Sequence, residues 1–114
     1  MSLPHPIPDE LTELIARRFR AIGDPLRIHL LDELRGGEAT VNDLADAVGA
    51  SQQNASKHLA VLADAGIVGR RKEGTHVYYR IADESVLGLC EEVCGSVQRE
   101  LLALHALVGG GETR

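Results

Sequence analysis

Cys90 and Cys94 stand four residues apart in a stretch of helical periodicity, so both sulfurs share one helix face. Thiolates so placed are soft ligands for zinc, cadmium or a similar ion, with Glu91, His105 or a partner subunit completing the shell. Near a twofold axis, four thiolates from two chains could share one ion. Cysteine also packs as a small apolar residue and is among the most buried types, and that reading stands beside the first. A disulfide between the two demands distorted helix geometry. A thiol enzyme needs a base close by, and the sequence offers His105, about three helical turns beyond Cys94. The chain therefore reads as a non-enzyme that requires no cofactor. A divalent metal such as zinc is a candidate effector at Cys90 and Cys94.

A second set of residues supplies hydrogen bonds and positive charge. Ser51, Gln52, Gln53, Asn54, Ser56, Lys57 and His58 fall in one short segment, and Arg70, Arg71, Lys72, Thr75 and Arg80 follow soon after. On a helix, Gln53 and Lys57 point away from Ala55, Leu59, Leu62 and Gly66. Asn54 and Ser56 flank them, with Gln52 and His58 nearer the border. Amides and hydroxyls both donate and accept, which suits base edges in a major groove. Lys57 could instead hold a phosphate, fixing register without reading sequence. Taken alone, a polar helix face is usually solvated, and an Arg-Arg-Lys run is usually a strand edge guarded against aggregation. In succession, the two suit double-stranded DNA.

The elements that must carry these side chains are legible. Val41, Leu44, Ala45 and Val48 recur at helical spacing, and Gly49 follows where a sharp turn wants positive φ. Ser51 is a good N-cap for a second helix running to about Ala65. Two short helices around a Gly-containing turn make a helix-turn-helix. Gly66 ends the second helix, and Ile67-Val68 begins an extended arm through Arg70-Arg71-Lys72. Glu73-Gly74-Thr75 reads as a turn and His76 to Ile81 as a strand, with Val77, Tyr79 and Ile81 on one face. The fold expected is mainly α with a small β-hairpin wing, a winged helix-turn-helix.

Three motifs carry a family resemblance. Gly23-Asp24-Pro25-Leu26-Arg27-Ile28-His29-Leu30-Leu31 resembles the helix-opening signature of the ArsR/SmtB winged-helix repressors. Ser56-Lys57-His58-Leu59, with Leu62 and Ala65-Gly66-Ile67-Val68, is similar to that family's recognition-helix motif. Gly74 with Val77-Tyr78-Tyr79-Arg80-Ile81 resembles its wing. The resemblance implies a homodimer that binds a double-stranded operator as a repressor and is released by an inducer, often a metal ion. Thr40 and Asn42 stand where thiolate sensors of the family carry Cys-x-Cys, so that site is not expected. The family's histidine-and-carboxylate site on the last helix is not matched either. A winged-helix protein-interaction module without inducer is the alternative.

Residues 9–108 read as one domain, between an arm at 1–8 and a tail at 109–114, both expected to be disordered. Pro4, Pro6 and Pro8 keep the arm from helix formation, and His5 on it reads as a tail histidine or an N-terminal metal ligand. Asp9 opens a helix with Leu11, Leu14, Ile15, Phe19 and Ile22 on one stripe, while Arg17, Arg18 and Arg20 read as solvated charges or contacts to DNA flanks. Asp24 caps the next helix with Pro25 in its first turn. Ile28, Leu31 and Leu34 supply its apolar side, Gly36-Gly37 ends it, and Glu38 to Thr40 reads as a short strand beside the wing. From Asp83 to Val108, Val86, Cys90, Val93, Val97, Leu101, Leu104 and Val108 repeat at spacings of four and three, widened by Leu87, Cys94 and Leu107. So wide a stripe predicts a twofold dimer formed by the first and last helices.

The formal net charge of −5 at first argues against DNA. From Ser51 to Ala82, however, five cations stand against two acids, giving +3, while seven against fifteen elsewhere give −8. A basic footprint on an acidic body concentrates attraction on one face. No stretch is apolar enough to span a bilayer, and two cysteines without a disulfide framework fit a reducing cytoplasm.

Overall fold

The computed structural model describes residues 3–109, which divide into two compact units, one ending at Asp83 and one beginning at Glu84. The first unit runs α1 (Asp9–Ile22), α2 (Pro25–Leu34), β1 (Ala39–Thr40), α3 (Val41–Val48), α4 (Gln52–Asp64), β2 (Val68–Glu73) and β3 (His76–Ile81); the second is α5 (Glu84–Gly109). Leu3 to Pro8 carry neither helix nor strand. Most of the expected tail, Gly110 to Arg114, lies outside the described residues.

Side-chain caps set the helix starts. The Asp24 carboxylate accepts the Arg27 N–H at 3.1 Å, with Pro25 at the first helical position, where its missing N–H is no loss. The Thr40 hydroxyl oxygen accepts from the Asp43 N–H and that of Ser51 from the Asn54 N–H, both at 3.1 Å. Each such cap satisfies an orphan donor and stabilises its helix by about 1 kcal/mol. Gly49 closes α3 at φ 70°, a conformation costly to any residue with a Cβ, and so aims the chain into α4.

The sheet is antiparallel in the order β1-β3-β2. Glu73 pairs with His76, leaving Gly74-Thr75 as a two-residue turn, and the expected short strand pairs Ala39 with Tyr79. Leu30, Leu34, Leu44, Leu59, Leu62 and Ile67 are fully buried and join α2, α3, α4 and the start of the wing in one core. Each such side chain contributes about 1.5–3 kcal/mol of burial.

Three expectations about packing need correction. Ile28 is 47% exposed, and Leu30 takes its place in the core beside Leu31 and Leu34. The inward stripe of α2 thus includes Arg27, a charged residue that disguised the period. Gly66 is exposed and lies beyond the end of α4, not on its packing face. Arg17 and Arg18 are engaged within the first unit: Arg17 donates to the Asp64 carbonyl at 2.8 Å and Arg18 pairs with Asp83. A cation on the last carbonyls of α4 also complements its dipole.

Apolar residues remain uncovered in each unit. On α1, Leu14 and Phe19 are each 54% exposed. Along α5, Val86 is buried and Cys90 half-buried, whereas Val93, Val97, Leu101, Leu104, Leu107 and Val108 of the expected stripe are exposed.

Candidate nucleic-acid interface

The first two turns of α4 and the inner face of the wing share a shallow open groove. Asn42, Gln52, Ser56, Arg70, Thr75 and His76 line it with polar groups, over Val41, Val77 and Tyr79. No acidic residue lines it. The Ser51 cap sets where α4 begins and so places Gln52 and Ser56 at the rim, while the Arg70–Tyr79 register holds Arg70 opposite them. Amide, hydroxyl, imidazole and guanidinium groups in one concave surface suit hydrogen bonding to an anionic, acceptor-rich partner.

Alternation along β2 sorts its cations, because successive side chains leave opposite faces of a strand. Arg70 lines the groove, and Lys72 is exposed on the same face. Arg71 leaves the other way. Its Nε and Nη2 each donate to the Glu38 carboxylate at 2.9 Å, its Nη1 donates to Glu73 at 2.7 Å, and its guanidinium lies 4.4 Å from the centre of the Tyr78 ring. The Arg71 guanidinium holds the Glu38 carboxyl below its ordinary range, and the two carboxylates push Arg71 further above its own. Arg80 shares that outer face and lies over Gly69, where an added Cβ would stand 2.9 Å from the guanidinium.

Of the residues singled out from the sequence, Gln52, Ser56, Arg70 and Thr75 come together at the groove. Gln53, Asn54 and Lys57 are exposed on α4 outside it, and the Ser51 hydroxyl oxygen is taken by its cap. His58 is half-buried: its Nδ1 lies 2.9 Å from Arg27 Nη1 and 3.7 Å from an Asp24 oxygen. The Arg27 N–H bond, more than the nearby charges, keeps the Asp24 carboxyl below its usual range. Asn42, His76, Arg27 and Glu38 were missed as contributors. Asn42 and His76 are ordinary polar residues whose place depends on how α3 and β3 meet, and no local pattern marks them.

The cysteines tell a different story. Cys90 is half-buried and burial pushes its thiol up, away from the thiolate that binds metal, while Cys94 is exposed. Among the described residues no three His, Cys, Asp or Glu side chains gather as a metal site, so Glu91 and His105 do not complete a shell within one chain. Thr40, at the position of a family thiolate ligand, uses its oxygen as the cap of α3. The donors of one chain therefore do not fit a metal ion. No helix among the described residues is long and apolar enough to cross a membrane.

Residues 22–71 match a family model described as a helix-turn-helix domain. The chain is 39% identical over 83 residues to the HTH-type transcriptional regulator KmtR of Mycobacterium tuberculosis, covering 73% of this chain and 64% of that protein. It is 36% identical over 87 residues to the arsenical resistance operon repressor of Bacillus subtilis, covering 75% and 83%. The chain thus spans less than two thirds of KmtR but most of the Bacillus protein. Among solved structures, it resembles a homodimeric winged helix-turn-helix DNA-binding domain of Mycobacterium bovis, a possible ArsR-family transcriptional regulator. That match has a TM-score of 0.73 at 37% identity, over 81% of this chain and 85% of that one. NolR of Sinorhizobium fredii matches with a TM-score of 0.70 at 31% identity, over 82% and 93%. A shared architecture, a helix-turn-helix in the same place and this identity along most of the Bacillus repressor lead to one conclusion: the chain belongs to the ArsR/SmtB family of winged helix-turn-helix regulators.

Proposed function

We propose that this protein is a homodimeric, sequence-specific DNA-binding transcriptional regulator of the repressor type, acting in the cytoplasm, and not an enzyme. The observation that carries the reading is the groove in which Gln52 and Ser56 of α4 face Arg70 and Thr75 of the wing with no acid among its lining. In this reading α4 enters a major groove, where Gln52, Gln53, Asn54 and Ser56 meet base edges. Lys57, Arg70 and Lys72 meet phosphates, which hold register and supply salt-dependent affinity. Relatives named as repressors support the direction of regulation.

A second copy of the chain covers the exposed apolar residues of α1 and α5, as the homodimeric state of the Mycobacterium bovis domain supports. Two recognition helices then reach half-sites about one DNA turn apart. An effector acting on the dimer helices would change the spacing of the two α4 copies and lower affinity.

The test is selection of duplexes from a random-sequence pool by the full chain, followed by titration of the enriched duplex at rising salt. Enrichment of a symmetric site is expected, with affinity falling as salt rises and Lys57→Ala reducing the salt slope by about one. Failure to enrich any duplex would overturn the reading and favour a protein-interaction module.

A further inference from the structure

We infer that Arg27 is a positioning residue for the proposed DNA interface: it fixes His58 as the tautomer protonated on Nε2, so that α4 offers the duplex a hydrogen-bond donor there and not an acceptor. The inference rests on the DNA reading above and adds a residue that does not itself face the groove.

Arg27 is held from behind. Its Nε donates to the Ala21 carbonyl at 2.6 Å and its Nη2 to the Arg20 carbonyl at 3.4 Å, both in the last turn of α1. Carbonyls there lack intrahelical partners and carry the negative end of the helix dipole, so a guanidinium is well placed among them. What remains is Nη1, 2.9 Å from His58 Nδ1. A guanidinium has five donors and no acceptor, so Nδ1 must contribute its lone pair. A neutral imidazole then carries its one proton on Nε2. Asp24, at 3.7 Å from the same Nδ1, is too distant to compete as a hydrogen-bond acceptor.

The other ring nitrogen is free to act. His58 makes no further side-chain hydrogen bond among the described residues, and none of their buried side-chain nitrogens or oxygens lacks a partner, so Nε2 reaches solvent. It does so one residue after Lys57, on the border of the face offered to DNA. A phosphate oxygen or a base acceptor satisfies an Nε2–H equally well.

The test combines tautomer and affinity measurements on the full chain. In protein carrying 15N-histidine, long-range proton–nitrogen correlations should show His58 with a bare Nδ1 and a protonated Nε2 in the wild type. The two tautomers should mix in Arg27→Lys, whose single ammonium cannot serve both Ala21 and His58. On the duplex selected by the wild type, Arg27→Lys and His58→Ala should each weaken binding about tenfold, and the double variant no further. Arg27→Lys keeps the charge, so a loss cannot be assigned to net charge. Circular dichroism shows whether each variant is folded at the assay temperature. Equal losses on selected and scrambled duplexes identify a phosphate acceptor; a loss confined to the selected duplex identifies a base. A proton on Nδ1 in the wild type, full affinity in Arg27→Lys, or additive losses would overturn the inference while leaving the DNA reading in place. If the wild type enriches no duplex, both fall together.

Discussion

Arg71 sits across the sheet from the groove, both of its N–H···O distances to Glu38 at 2.9 Å, while its neighbour Arg70 lines the groove itself. One residue of register separates a cation aimed at a partner from one spent on the wing. A basic run in the sequence is therefore two sets of charges with different jobs.

Arg70→Ala is expected to weaken duplex binding and lower the salt slope by about one, because each phosphate contact releases counterions. Arg71→Ala should leave the slope nearly unchanged and lower the melting temperature instead. Titrations of both variants from low to moderate salt separate the two roles, and equal slopes would refute the sorting.

The Glu38–Arg71 pair makes wing stability depend on pH with a definite sign. Because the Glu38 carboxyl is held below its ordinary range, its contribution is complete above the ordinary glutamate value. It fades as pH falls through the lowered folded value, while Arg71 stays charged throughout. Wild type should therefore melt slightly above Glu38→Gln at neutral pH, with the gap closing in acid. The gap is small, since the pair is solvent-exposed.

Local signals made much of this molecule legible. The Asp24 and Ser51 caps and the Gly49 turn each depend on a few adjacent residues, and the structure has all three. The core of α2 was misread at Ile28 because Arg27 occupies the inward stripe, its charge offset by carbonyls of α1 and by His58. The outward turn of Arg71 and Arg80 was not legible, because it follows from strand register and from Glu38, 33 residues away in sequence. The recruitment of Asn42 and His76 to the groove is likewise a long-range result.

Gly66 stands at φ 79°, where an added Cβ would also come within 3.1 Å of the Arg18 guanidinium. Backbone strain alone predicts that Gly66→Ala destabilises the fold by about 1–2 kcal/mol. Displacing Arg18 from Asp83 adds to that. Urea denaturation checks the figure, and an unchanged midpoint would mean that the turn relaxes to accept alanine.

Burial raises the Cys90 thiol, so its thiolate forms only at more alkaline pH than in an ordinary cysteine. Alkylation of the native protein at neutral pH, read by peptide mass spectrometry, should therefore modify Cys90 slowly, with a rate that climbs as pH rises. In denaturant the same cysteine should react at the ordinary rate. Fast neutral-pH labelling of native protein would remove the burial effect.

The stripe along α5 decides whether the protein acts in pairs. Val97, Leu101 and Leu104 are each about half exposed in the single chain, on a helix with several further uncovered apolar side chains. So much apolar surface on one helix is unusual for a monomer and marks an association face. A carboxylate at Leu101 would have to be buried unpaired in a dimer seam, a severe penalty there but a mild one on an exposed helix. Leu101→Asp should thus leave the melting of the isolated fold nearly unchanged while shifting sedimentation from dimer to monomer. Duplex binding should fall more than a hundredfold as two tethered half-sites become one. Glu100→Gln, on an exposed neighbour outside the stripe, serves as the control and should sediment as wild type. A Leu101→Asp protein that remains dimeric would place the interface elsewhere, and one that is monomeric yet binds at full affinity would remove the need for a pair.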